Sequence, residues 1–294
     1  MSTVVSSLDE TLDASAVEPA LAAHSGRAPV AALVRTSLPR WRRAALSANS
    51  AGRTRWWLEA LTIAWLCWVY DAVTNLAPLR LGAALSHGRE LLSLERTLGI
   101  APEHALDKWL ASRHALGVAL SYYYDNAHFL VTLGLLAYLW WRRADIYRPL
   151  RNSLVLINLL GFLVFWLYPV APPRMLGGFT DVVAASGTIG SWHTGALASQ
   201  ANQLAAMPSL HIAWAVWCSV AIWRLTSRPA LRALGVAYPL LTGVVVLATG
   251  NHYVLDIVGG AILAAAVVVA VDAAPQAWAK TRRRRAEAPA ALTG

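Results

Sequence analysis

The sequence predicts an all-α, polytopic membrane protein: a six-transmembrane-helix bundle with interfacial amphipathic helices. Three observations predict it. Of 294 residues, 57% are hydrophobic and 14% charged, with mean hydropathy +0.46, whereas a soluble domain carries about 25% charged residues. Six apolar runs approach or exceed the roughly 20 residues that a bilayer-crossing helix needs. Fourteen Trp residues suit the same setting, because indole rings collect at membrane–water interfaces.

The six runs are 57–77, 115–141, 150–170, 209–226, 231–249 and 253–273. Between the first two, 79–113 places Leu81, Leu85, Leu91, Leu92, Leu94 and Leu98 at helical spacing with charges in between. That pattern predicts one or two amphipathic helices lying at the interface. Residues 177–206 form a large loop bearing His193, Gln200, Asn202 and Gln203. Residues 1–54 are rich in Ala and Ser, lack an apolar run of signal-peptide length and are expected to form a disordered, basic cytoplasmic tail. The membrane domain is then 55–275, and 276–294 forms a second basic tail. Cys67 and Cys218 both lie in apolar runs and imply no disulfide framework.

The net charge of +9 does not mark a nucleic-acid surface, because the arginines cluster beside the apolar runs. Connections on one side hold nineteen Lys and Arg and those on the other hold six. The positive-inside rule then places both termini in the cytoplasm of a bacterial plasma membrane. His211, entering the fourth run, and His252, entering the sixth, both fall on the outer face.

His252 and Asp256 are four residues apart, one helical turn on one face. The carboxylate can take the proton of one imidazole nitrogen and leave the other as nucleophile or base. A carboxylate this close to the apolar phase also needs such a partner. The spacing fits a helix-pinning hydrogen bond equally well, until His211 is added. Pro208 and Ser209 before it form a helix-start signal, with Ser209 suited to the N-cap. Helix-start amides favour an anion. Arg174 is alone on its loop and has the guanidinium geometry for phosphate oxygens, although a snorkelling role fits it as well. Together these groups suit phosphoryl transfer. His252 would attack phosphorus to give a phosphohistidine, and His211 would protonate the leaving oxygen. Water or an alcohol would then accept the phosphoryl group. No metal-ligand cluster stands out, so a metal-independent mechanism without cofactor is expected. Asp125, Asn126 and His128 add polar groups inside the second run, serving either a ligand or helix–helix hydrogen bonds.

With Pro208-Ser209-Leu210-His211 and His252-x3-Asp256, the chain resembles the type 2 phosphatidic acid phosphatase superfamily. That resemblance implies six membrane helices, His252 as nucleophile and His211 as acid. The chain departs from the pattern in three places. Leu210 stands where the motif has Gly, and Val245 and Val246 stand at its Ser-Arg positions. Arg148-Pro149 echoes the remaining motif but lies on the cytoplasmic side, with Trp141 where a Lys belongs. Three segments are similar to the inositol-phosphorylceramide-synthase branch: Tyr168-Pro-Val-Ala-Pro-Pro-Arg174, Ala206-Met-Pro-Ser-Leu-His211 and Thr249-Gly-Asn-His-Tyr-Val-Leu-Asp256. The resemblance implies a lipid phosphatase or head-group transferase acting on a phospholipid or polyprenyl phosphate. The expected substrate-contacting residues are Arg174, Ser209, Tyr168, Asn251, Asp125 and His128. The expected partners are a membrane lipid and a water or alcohol acceptor, and no nucleic acid. The other class open to such a chain is a non-catalytic lipid-binding or transport protein, for which repeated halves would be the mark.

Overall fold

The computed structural model describes residues 54–76, 80–188 and 204–287. The expected N-terminal tail through residue 53, and His193, Gln200, Asn202 and Gln203, lie outside the described residues. The described residues are all-α, with nine α-helices and a short 3-10 turn. In chain order they are α1 (Trp56–Leu76), α2 (Leu81–Thr97), α3 (Glu103–Ala111), α4 (His114–Arg142), α5 (Ala144–Leu167), α6 (Val182–Ala185), α7 (Leu210–Leu225), α8 (Pro229–Ala248) and α9 (Val254–Glu287), with the turn at Pro173–Met175.

Each of the six apolar runs is a helix. Three are long and apolar enough to cross a membrane: α5, α8 and Val254–Pro275 of α9, with α7 a shorter apolar helix. They mark the chain as an integral membrane protein. Helix α5 begins six residues ahead of the expected run. Pro149 falls in its second turn, where the N–H it lacks would have served only the carbonyl of Asp145 in the first. At the other end Tyr168 leaves the helical region (φ −138°, ψ 75°) ahead of Pro169, which disfavours helix in the residue before it. Helix α9 continues through Pro275 to Glu287.

Helix α7 is the hub, packing against α4, α5, α8 and α9. The main core joins Leu139 of α4, Leu150 and Ile157 of α5, Trp217 and Cys218 of α7, and Ala264 and Val268 of α9. The Trp217 Nε1–H is satisfied inside it, donating to the Leu150 carbonyl at 2.9 Å and to Ser153 Oγ at 3.1 Å. Small residues let the helices close up. A Cβ on Gly260 of α9 would collide with the Ser209 carbonyl at the start of α7. A Cβ on Gly161 of α5 would lie 2.7 Å from Leu210 Cδ2. Leu210, in the place of the motif's glycine, is therefore housed by a glycine on the facing helix.

The stretch 79–113 is two helices, α2 and α3, but not every charge on them faces water. Glu95, Glu103 and Asp107 are each 0% exposed. Their partners are backbone amides from distant parts of the chain, described below.

Candidate active site

Three loops meet at one end of the bundle: the exit of α5, the entrance of α7 and the α8–α9 turn. A short parallel bridge ties two of them, with Val170 N–H donating to the Leu204 carbonyl at 3.0 Å and Ala206 N–H to the Val170 carbonyl at 3.2 Å. Arg174 N–H donates to the Gly250 carbonyl at 2.8 Å and joins the third. Gly250 has φ +67° with Asp107 Oδ1 only 3.2 Å from where a Cβ would stand, so both backbone and space call for glycine.

His252 lies between these loops, 3% exposed. Its Nδ1 is 2.9 Å from the Ala206 carbonyl oxygen and 3.4 Å from Asp256 Oδ2. A carbonyl only accepts, so the proton sits on Nδ1 and the Nε2 lone pair is left for chemistry. That Nε2 is 3.4 Å from His211 Nδ1, with the rings at 68°. Asp256, fully buried, also accepts from Tyr253 N–H at 3.0 Å. It thus holds the imidazole and closes the first turn of α9 in the manner of a capping box.

His211 stands on the first turn of α7. Ser209 is the N-cap, its Oγ accepting from Ile212 N–H at 3.4 Å, while its own N–H donates to the Asp256 carbonyl at 3.0 Å. The start of α7 is in this way tied to the helix that carries Asp256. Helix α4 holds the His211 ring. Tyr124 stacks on it at 4.5 Å and 24°, and His128 meets it edge-on at 4.4 Å. His128 Nδ1 is committed to the Tyr124 carbonyl at 3.0 Å.

Arg174 reaches the same place. Its side chain is 5% exposed, pairs through Nε with Asp181 Oδ2 at 3.2 Å, and donates from Nη1 to Asn251 Oδ1 at 2.5 Å. Asn251 in turn donates to Thr249 Oγ1 at 2.9 Å. Val245 and Val246, at the Ser-Arg positions, are buried in α8 and offer the site only backbone: the Val246 carbonyl accepts from Asn251 and His252. Arg148 lies nineteen residues from the α5 exit, about 30 Å at 1.5 Å per residue, and takes no part.

Of the residues expected from sequence, the structure gathers His211, His252, Asp256, Arg174, Asn251, Ser209 and His128. Asp125 is buried in α4, 3% exposed. Asn126 is exposed and donates to its own helix, at Tyr122. Tyr168 stacks on His87 of α2 at 3.9 Å, a contact outside the histidine cluster.

Sequence patterning missed the carboxylates beneath the site. Glu95 Oε1 accepts from Leu255 N–H at 2.6 Å and Glu103 Oε1 from Val254 N–H at 3.1 Å. Asp107 Oδ2 accepts from Thr180 N–H at 3.0 Å. Burial pushes the Asp107 carboxyl up, partly offset by the Thr180 N–H and by His104. The Tyr253, Val254 and Leu255 amides that open α9 are therefore already taken, which turns the anion-binding role expected of helix-start amides towards α7. The one available signal was the four-residue spacing of Glu103 and Asp107, which puts two acids on one face of a short helix.

A helical membrane protein with two histidines, a carboxylate and an arginine converging at one end of its bundle has the parts of a phosphate-ester enzyme. The chain matches the PAP2 superfamily over residues 89–270 of 294, and it belongs to that superfamily. The match runs from α2 into α9 and takes in every residue of the histidine cluster. Membership points to membrane phosphatase or phosphotransferase activity on phosphate esters, in a superfamily whose members are typically metal-independent and histidine-dependent. No curated protein and no solved structure matches the chain.

Proposed function

We propose that the chain is a six-span lipid phosphotransferase or phosphatase working through a phosphohistidine at the extracytoplasmic face, with both termini in the cytoplasm of a bacterial plasma membrane. The observation that carries this is the state of His252. Its Nδ1 proton is held by the Ala206 carbonyl and Asp256, and its Nε2 faces His211 at 3.4 Å.

The phosphate of a phospholipid or polyprenyl phosphate enters as the two rings part. Arg174 and the first-turn amides of α7 draw its oxygens, using the guanidinium fork and the helix dipole. His252 Nε2 forms the N–P bond as the P–O bond to the leaving group breaks. His211 delivers the proton to the leaving oxygen, then takes one from the incoming water or alcohol. Asp256 compensates the positive charge that builds on His252. Tyr124 and His128, closed around His211, line the approach of an acceptor, which favours head-group transfer of the inositol-phosphate type over bare hydrolysis.

The test is chemical trapping. Full-length protein in nanodiscs is mixed with phosphatidate or polyprenyl diphosphate labelled at phosphorus and quenched in alkali. Acid-labile, alkali-stable label on the chain, absent from His252→Ala, is the expected result. Undiminished turnover in His252→Ala would overturn the mechanism. Product formed only when a second lipid alcohol is supplied would identify a transferase, and inorganic phosphate released without one a hydrolase.

A further inference from the structure

The start of α9 receives three carboxylates on three consecutive backbone amides. Asp256 takes Tyr253 N–H, Glu103 of α3 takes Val254 N–H, and Glu95 of α2 takes Leu255 N–H. The dipole at a helix N-terminus favours negative charge there, but it is equivalent to about half an elementary charge, far from three. All three side chains are 0% exposed. Glu95 and Glu103 lie within hydrogen-bonding reach of each other. The Oε2 atom of each is buried and receives no N–H or O–H from the described residues. Two neighbouring buried carboxyls of this kind are satisfied by one proton between them, since adjacent carboxylates do not both ionise.

We propose that Glu95 and Glu103 share a single proton, and that this acid pair is the positioning device that seats the start of α9, and with it His252 and Asp256, against His211. In its reacting role the proposal rests on the mechanism above. The pair acts through the backbone and touches no substrate.

The charged groups acting on Glu95 are Glu103 and Asp256. Of the other groups facing the pair, His252, just ahead of α9, is engaged by Asp256, and the Tyr253 hydroxyl donates to the Ala171 carbonyl at 2.9 Å. Arg174, on the 3-10 turn packed against α2, is held by Asp181 and Asn251. Asp107, one turn along α3, is turned to Thr180. Among the described residues no cation is therefore directed at Glu95 and Glu103, and the proton takes that place. Burial, and then the hydrogen bond with Glu103, push the Glu95 carboxyl from the ordinary 4.5 up to about 8. A carboxyl raised in the folded state stabilises fully below its unfolded value, and that contribution is lost as pH climbs through about 8. Loss of the proton leaves two buried charges in repulsion, and the α9 start loosens.

The experiment follows thermal unfolding and turnover of a short-chain phosphatidate from pH 6.5 to 9, each protein normalised to itself at pH 6.5. In Glu95→Gln the amide oxygen can keep the Leu255 N–H and the amide nitrogen can donate to Glu103, which imitates the protonated pair. The wild type should lose several degrees of unfolding midpoint and several-fold in kcat on the alkaline side, with KM little changed. Glu95→Gln and Glu103→Gln should each flatten both losses. The double variant sets two NH2 groups against each other and should be less stable than either single. A wild type with no alkaline loss of midpoint, single variants that keep it, or a double variant as stable as the singles would each overturn the proposal. Absence of turnover on every lipid phosphate would overturn the reaction instead, and the unfolding curves would still decide the acid pair.

Discussion

Arg174 is held by Asp181 through an ion pair of 3.2 Å, so the cation best placed for phosphate already has an anionic partner. Asp181 also caps Val182–Ala185, accepting from Ala184 N–H at 2.9 Å. Phosphate must compete with it. Asp181→Asn keeps an oxygen for the cap and removes the charge, and is expected to tighten inhibition by vanadate or inorganic phosphate several-fold. Arg174→Lys loses the fork and the bond to Asn251, and is expected to lower kcat/KM about ten- to hundredfold, the equivalent of one charged hydrogen bond. Steady-state kinetics on short-chain phosphatidate checks both. An Arg174→Lys enzyme as good as the wild type would remove Arg174 from phosphate binding.

His211 as acid predicts a dependence on the leaving group. His211→Ala should cost about 10²–10⁴ in turnover of a lipid phosphate, whose alkoxide leaves only with a proton. Labelling of His252 by an aryl phosphate, whose phenolate leaves unaided, should be far less affected. Rapid-quench measurement of the two substrates decides it, and equal losses on both would argue against proton donation.

Tyr124 keeps the His211 ring in place by stacking at 4.5 Å. Tyr124→Phe retains the ring face, and with it the roughly 0.5–1.5 kcal/mol an aromatic pair contributes, and should retain activity within about threefold. Tyr124→Ala frees the imidazole and should lower kcat more than KM. The reverse split would instead make contact with the acceptor, rather than the seating of His211, the main role of Tyr124.

Helix contacts give two glycines opposite fates. Gly260→Ala drives a methyl into the Ser209 carbonyl and is expected to cost about 1–3 kcal/mol, with activity lost as α9 moves from α7. Gly134 in α4 has nothing within 4 Å of an added Cβ. Gly134→Ala should therefore be neutral or gain up to about 1 kcal/mol from helix propensity. Unfolding of the two variants side by side tests the close approach.

The apolar runs made six of the helices legible, because so long an apolar stretch with so few charges has few other uses, and three of them are long and apolar enough to cross a membrane. The spacing of Leu81 to Leu98 announced α2, and the four residues from His252 to Asp256 announced their contact, although His252 stands ahead of α9 and shares no helical face with Asp256. Ser209 was readable as an N-cap from its type and place. Glu95, Glu103 and Asp107 were not readable. Charges on an amphipathic helix ordinarily face water, and the partners here are the amides of residues 254, 255 and 180, which leave no mark in a sequence. The same holds for Leu210 and Gly161, where the space needed by one residue is made by another forty-nine positions away. A motif mismatch at 210 becomes understandable only beside the helix that faces it.

The Ala206 carbonyl that fixes the His252 proton is a main-chain atom, and that has a practical corollary. Alanine or saturation scanning passes over it, since any side chain at 206 presents the same oxygen. It has no titration of its own, so it remains an acceptor for Nδ1 whatever its neighbours do. Weakening it takes editing of the chain itself. An α-hydroxy acid in place of Met207 would turn the 206 carbonyl into an ester, a poorer acceptor, with every side chain of the cluster left as it is.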